Sequence, residues 1–171
     1  SHGIEVSSYS SGVARERFGE ARVRTGELAH AEFARGAFRV VTMTDLIEHV
    51  VDPLATLRAA HAALEPDGLL CLTTPRVGGA SHRSMGRRWT HYKREHLQYF
   101  SPDAVRRLLG AADFRVLECR SWPKTLTFDY ACGQFTRYRH WLVSPLVEAL
   151  RHLLPAGVRS RHFALPLGDM L

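Results

Sequence analysis

The sequence predicts an α/β domain with a parallel sheet and helices on its faces. Three observations carry that reading. "FRVVTMT", residues 38–44, is a β-branched run long enough for a buried strand. Asp52-Pro53 then opens a helix, with Leu54, Leu57, His61 and Leu64 at near-helical spacing. "LLCLTTP", residues 69–75, is a second apolar strand, ending at a proline. Strand, helix and strand in that order form a crossover unit, and its strands run parallel.

Along the chain, "GIEVS", residues 3–7, is a short β-type run. The serines that follow can cap a helix over "SGVARERFG", and Gly19 is its expected stop. "VRTGEL" is a short segment before a polar link. After the strand at 38–44 and its helix, "EPDG" is expected to end that helix. Residues 76–100, "RVGGASHRSMGRRWTHYKREHLQYF", turn polar, basic and aromatic. At 25 residues the segment is too long for a passive connection and reads as a functional loop or lid. In "SPDAVRRLLGAADF", Ser101 caps and Pro102 starts a helix whose apolar face is Val105, Leu108, Leu109 and Ala112. "FRVLECRSW", residues 114–122, reads as a further strand, and Ser144-Pro145 opens the helix "PLVEALRHLL". No repeat or linker divides residues 1–171, so a single domain is expected.

Composition narrows the class. A hydrophobic content of 45% in 171 residues suits a globular core and argues against disorder. No apolar run approaches the length of a membrane span, and no signal peptide is recognised. Ser1-His2 reads as the scar of a cleaved tag, with a native Ser-His as the alternative. Cys71, Cys119 and Cys132 lie far apart without a C-x-x-C, which fits a reducing, cytoplasmic setting and thiols without a special role. The net charge of +6 comes almost entirely from arginine, since Lys93 and Lys124 are the only lysines. With abundant alanine, this suggests a GC-rich bacterial genome. Charge of that size permits a nucleic-acid partner but does not indicate one.

The order "GIEVS", "FRVVTMTDLIEHVVDP", "LEPDGLLCLTTPR", a tryptophan, then "HLQYFSPDAVRRLLGAADFRVLE" resembles the class I S-adenosylmethionine-dependent methyltransferases. It is most similar to the branch that includes the ubiquinone-biosynthesis O-methyltransferases and the type 11 and type 23 methyltransferases. The resemblance covers residues 3–118 and implies a Rossmann-like sheet with S-adenosyl-L-methionine as cofactor. It implies that Glu5, with Val6 and Ser7 after it, ends the strand whose acid accepts both ribose hydroxyls. A carboxylate's two oxygens suit a vicinal diol. Glu27 and Leu28 fall in the loop that covers adenine, although many relatives carry an Asp there. Thr44 and Asp45 fall where the methionine part of the cofactor is contacted, at the carboxyl edge of the sheet.

The same resemblance implies an absence. The family's first strand and its glycine-rich turn precede the ribose acid, and here only Ser1-His2 precede "GIEVS". The terminal "PLGDML" matches only the start of the family's last strand. The expectation is a fragment truncated at both ends, its sheet lacking the first, central strand and most of the last, with open backbone edges. Direct pairing of the strands flanking the gap, or a strand supplied by another chain through oligomerisation or strand exchange, are the alternatives. The chain as given is expected to be inactive.

His49, in "DLIEHVVDP", is either a general base for a hydroxyl acceptor or a ring that ties the loop. Tyr92 and His96 are acceptor-side candidates in the lid, where Trp89 adds aromatic surface, while Tyr99 and Phe100 read as core residues preceding the helix at 102. His82, His91 and His96 match no common zinc spacing, and no metal is expected. The arginines of the lid suit an anionic acceptor or a solvated face. Residues 135–154 combine an apolar face with arginines and read as packing on the domain, with a membrane surface as the alternative. The function expected is methyl transfer to a small-molecule oxygen or nitrogen. The alternatives are a degenerate binding or assembly module and a basic nucleic-acid-binding module.

Overall fold

The computed structural model describes residues 1–31, 33–137 and 143–171. Its elements are β1 (Gly3–Glu5), α1 (Ser8–Phe18), β2 (Val23–Thr25), β3 (Phe38–Thr44), α2 (Pro53–Ala63), β4 (Leu64–Thr73), α3 (Ala80–Met85), α4 (Pro102–Ala111), β5 (Trp122–Thr127), α5 (Phe128–Arg137), α6 (Val143–Leu153), α7 (Ala156–Arg159) and β6 (His162–Met170). They fall into two compact units. One comprises Ser1–Thr73 with Asp103–Leu117, the other Thr74–Pro102 with Glu118–Leu171.

In the first unit the serine run behaves as expected. Ser7 Oγ accepts the Ser10 N–H at 3.2 Å and caps α1. At the far end Gly19, with φ 99°, donates its N–H to the Arg15 carbonyl at 2.7 Å. That φ is closed to side-chain-bearing residues, which is why a glycine ends the helix. The crossover returns the chain as β2, parallel to β1, with Glu5 opposite Thr25. Polar contacts hold α1 on this pair. Buried Ser11 shares a 2.8 Å hydrogen bond with Thr25 Oγ1, and Arg15 Nε donates to the Val23 carbonyl at 3.1 Å.

β3 occupies the residues expected from its β-branched run. Asp52 caps α2 by accepting the Ala55 N–H at 2.9 Å, and Thr56, Leu57, Ala60 and Ala63 form the buried face. β4 then lies parallel to β3, with Thr44 opposite Thr73. "EPDG" does not form a separate stop. The helix ends one residue earlier, and β4 absorbs the tetrapeptide through a register shift opposite Phe38–Val40. Gly68 is required there, because a Cβ would stand 2.9 Å from the Glu65 carbonyl oxygen. α4 is tied back to α2 by the edge-on rings of His61 and Phe114, 5.1 Å apart.

β1–β2 and β3–β4 remain separate two-stranded sheets. Their amino ends lie close, since the His2 ring meets the Phe38 ring edge-on at 5.7 Å. Yet β1 and β3 share no ladder, so direct pairing across the gap is not what forms.

In the second unit β5 and β6 are antiparallel, with Thr127 opposite His162. β6 runs nine residues, well beyond the start of a strand that the final hexapeptide alone suggested. It continues onto Thr74, which exchanges backbone hydrogen bonds of 3.4 and 3.0 Å with Leu171. The strand expected at 114–122 is displaced. The ladder begins at Trp122, and Leu117 is exposed. Residues 115–121 have no strand partner among the described residues, and a strand is stable only where its backbone groups are paired. Trp89, Phe100, Cys132 and Met170 are buried here. Burial pushes the Cys132 thiol up, which fits an unreactive cysteine. α5 and α6 pack together, which accounts for part of the 135–154 segment; residues 138–142 lie outside the described ones. Among the described residues no helix is long and apolar enough to cross a membrane.

Candidate functional site

Parallel pairing brings the carboxyl ends of β1 and β2 together. The Gly26 N–H donates to the Glu5 carbonyl oxygen at 3.0 Å, so the two segments leaving the strands start side by side. One is Val6-Ser7; the other is Gly26, Glu27 and Leu28. Gly26 has φ 131°, which only glycine adopts readily. The half-buried Glu5 curls so that Oε1 accepts the Ser7 N–H at 2.9 Å. One carboxylate oxygen is thereby anchored, and Oε2 has no protein partner among the described residues. Ser7 Oγ is occupied as the cap of α1, while Val6 is exposed.

Glu27 is exposed, and its carboxylate lies 3.8 Å from His30 Nδ1. Leu28 starts a short 3-10 turn, Leu28–His30, which packs on α2. Arg24 closes this loop: it donates to the Ala31 carbonyl, and its guanidinium stacks 4.4 Å from the Phe33 ring centroid.

At the carboxyl end of β3, Asp45 adopts a left-handed conformation with φ 49°. Aspartate tolerates that region better than most residues. Its N–H donates to the Thr73 carbonyl at 3.1 Å, and Thr73 Oγ1 lies 3.4 Å from its carboxylate. Thr44 and Asp45 are both exposed. Ile47 and Glu48 turn inward and are buried; His49 is half-buried, with its N–H on the Leu46 carbonyl at 2.9 Å.

The acceptor-side candidates belong to the second unit. Trp89 is buried and donates its indole N–H to buried Ser81 Oγ at 2.9 Å. His82 stands edge-on to Trp89 at 4.9 Å, and Tyr92 stands edge-on to Trp89 at 5.3 Å. Tyr99 meets Tyr92 edge-on at 5.1 Å, and burial pushes its phenol above the ordinary range. His96 is buried beside Tyr99, while Tyr92 is exposed. Arg83, Arg87, Arg88, Lys93 and Arg94 are all exposed.

The structure therefore gathers Glu5, Val6 and Ser7 with Glu27 and Leu28, and sets Thr44 with Asp45 at another strand end of the same unit. His49 belongs to that unit; Tyr92 and His96 belong to the other. Two residues escaped the sequence reading. Thr73 holds Asp45, and the pairing of 38–44 with 69–75 was the signal that could have found it. His82 was weighed only as a zinc ligand, whereas its ring hydrogen-bonds to Tyr92 at 3.0 Å.

Comparison with known proteins bears on the whole arrangement. A family described as a methyltransferase domain matches residues 2–119. A ubiquinone biosynthesis O-methyltransferase of Haemophilus ducreyi is 43% identical over 47 residues, 28% of this chain and 20% of that protein. The match thus spans only a fifth of the curated relative. Among solved structures, the YcgJ protein of Bacillus subtilis has a TM-score of 0.62 at 16% identity, over 95% of this chain and 77% of that one. The Haemonchus contortus phosphoethanolamine N-methyltransferase 2, in complex with S-adenosyl-L-methionine, has a TM-score of 0.56 at 18% identity, over 99% of this chain and 41% of that one.

Proposed function

The chain belongs to the methyltransferase-domain family, with the Rossmann-like fold of the S-adenosylmethionine-dependent enzymes, and from that premise we propose that it serves methyl transfer from S-adenosyl-L-methionine to a small-molecule oxygen or nitrogen. The observation that carries the reading is the Glu5 carboxylate. It stands at the carboxyl end of a parallel pair, anchored through one oxygen, with the Gly26–Leu28 loop leaving the strand beside it.

That arrangement fits the adenosyl half of the cofactor. Oε2 and the remaining lone pairs of Glu5 can accept from a ribose diol. The turn at Leu28 offers an apolar edge to adenine, and backbone groups there can take the place of the Asp many relatives carry. Thr44 and Asp45 would face the amino-acid part. The cofactor supplies an electrophilic sulfonium methyl when bound. The protein's contribution is to hold the acceptor in line with it, and a base is needed only where the acceptor is weakly acidic. Tyr92 and the lid at 76–100 would serve the acceptor. His49 would act as a tie for the turn into α2, and His96, being buried, as support for the lid.

Calorimetric titration of the full-length protein with S-adenosyl-L-methionine tests the reading, followed by mass spectrometry of products from a panel of hydroxyl and amine acceptors. Saturable binding with methylated product is expected. Absence of binding would sink the proposal; binding without transfer to any acceptor would mark a binding module instead.

A further inference from the structure

Gly78 N–H can only donate, and it reaches His82 Nδ1 at 3.3 Å. A ring nitrogen that accepts carries no proton, so the proton of the neutral ring sits on Nε2. Nε2 lies 3.0 Å from the Tyr92 hydroxyl oxygen, so this bond runs from His82 to Tyr92. The hydroxyl's own proton is then directed elsewhere, and among the described residues it meets no acceptor. The Tyr92 side is open, at 42% exposure. The two rings do not drift, because both stand edge-on against Trp89, whose indole is buried and hydrogen-bonded to Ser81.

Resting on the methyltransferase reading, we propose that the loop 76–100 selects an anionic acceptor, a carboxylate or phenolate, through the Tyr92 hydroxyl proton that His82 turns outward. An accepted hydrogen bond polarises the hydroxyl and strengthens the bond it donates. An oxygen that carries charge and only accepts is its best partner. The surroundings have the matching sign: Arg83, Arg87, Arg88, Lys93 and Arg94 are exposed in the same loop, and Glu95 is its single acid. No proton changes hands; His82 is a positioning residue acting through Tyr92.

The test uses the full-length protein and two flat probes of equal shape, benzoate and its neutral counterpart benzamide, by calorimetric titration. Benzoate is expected to bind about tenfold tighter or more, the scale of one hydrogen bond to a charged group. Tyr92→Phe and His82→Phe should each remove that preference, weakening benzoate far more than benzamide, whose neutral carbonyl is the poorer acceptor. His82→Gln, whose amide nitrogen can still donate to Tyr92, should restore most of it. Nitrogen-15 spectra of the wild-type histidine rings should show His82 protonated on Nε2. Equal affinity for the two probes, a preference that survives Tyr92→Phe, undetectable benzoate binding, or a proton on Nδ1 each overturns the proposal. S-Adenosyl-L-methionine titrated into the same samples separates the two ideas, because its failure to bind would sink the methyltransferase reading while the benzoate results judge Tyr92.

Discussion

A carboxylate offers about four lone-pair sites, and Glu5 has one of them engaged by the Ser7 N–H. The remainder is the capacity a diol would use. Glu5→Ala should therefore weaken S-adenosyl-L-methionine binding by about 1.5–3 kcal/mol, the range for hydrogen bonds to a charged group, and calorimetry reads it directly. Unchanged affinity would place the ribose elsewhere. His49 poses a different question. It sits half-buried in the turn between β3 and α2, where backbone groups need partners. As a tie, His49→Gln should cost about 1–3 kcal/mol in denaturant unfolding and leave turnover per folded molecule intact. A rate loss of about two orders of magnitude in a variant that melts normally would make it the base instead. The positions of Glu5, at the end of one strand, and Asp45, just past another, were legible from the apolar runs before them, and ligands gather at such ends in open α/β folds. Thr73 and His82 were not, since their partners are set by register between strands and by the path of a loop.

At the scale of elements, α2 and β4 show how local chemistry is enforced. Asp52 accepts the Ala55 N–H at the start of α2. Asp52→Ala should cost about 1 kcal/mol of unfolding free energy, measured in urea. Gly68→Ala should cost about 1–3 kcal/mol, because the new methyl meets the Glu65 carbonyl oxygen, backbone that cannot swing aside. A variant as stable as the wild type would show that the β4 irregularity relaxes freely. The Asp52 cap was readable from sequence; the place of Gly68 inside β4 was not, since "EPDG" reads as a helix stop. Nor was most of β6. Only "PLGDML", at its carboxyl end, was recognised, because the residues before it are held as a strand by their pairing with β5. The error at 114–122 has the opposite origin. Apolar residues alternating with Arg115, Glu118 and Arg120 imitate a strand, but the ladder starts at Trp122, and pairing is information from far along the chain.

Across the molecule, the strand pairs differ in how well they are held. β1 and β2 meet over three residues, and their helix α1 is fixed by polar contacts with Tyr9 and Phe18 exposed. β3 spans seven residues, and α2 beside it buries Leu57 and Ala60. Amides of β1 and β2 should therefore exchange with deuterium about tenfold faster or more than those of β3 and β4. Equal protection would mean the first pair is supported by something beyond its own contacts. The separation into pairs has a further consequence, for the newborn chain. Gly3 meets Val23 and Thr44 meets Thr73, whereas Trp122 must wait for Met170 and Thr74 for Leu171. The first two closures join stretches that leave the ribosome one soon after the other, at a small loop-closing cost. The first two pairs can therefore settle while the rest is still being translated, and the β5–β6 ribbon closes only once Met170 has emerged.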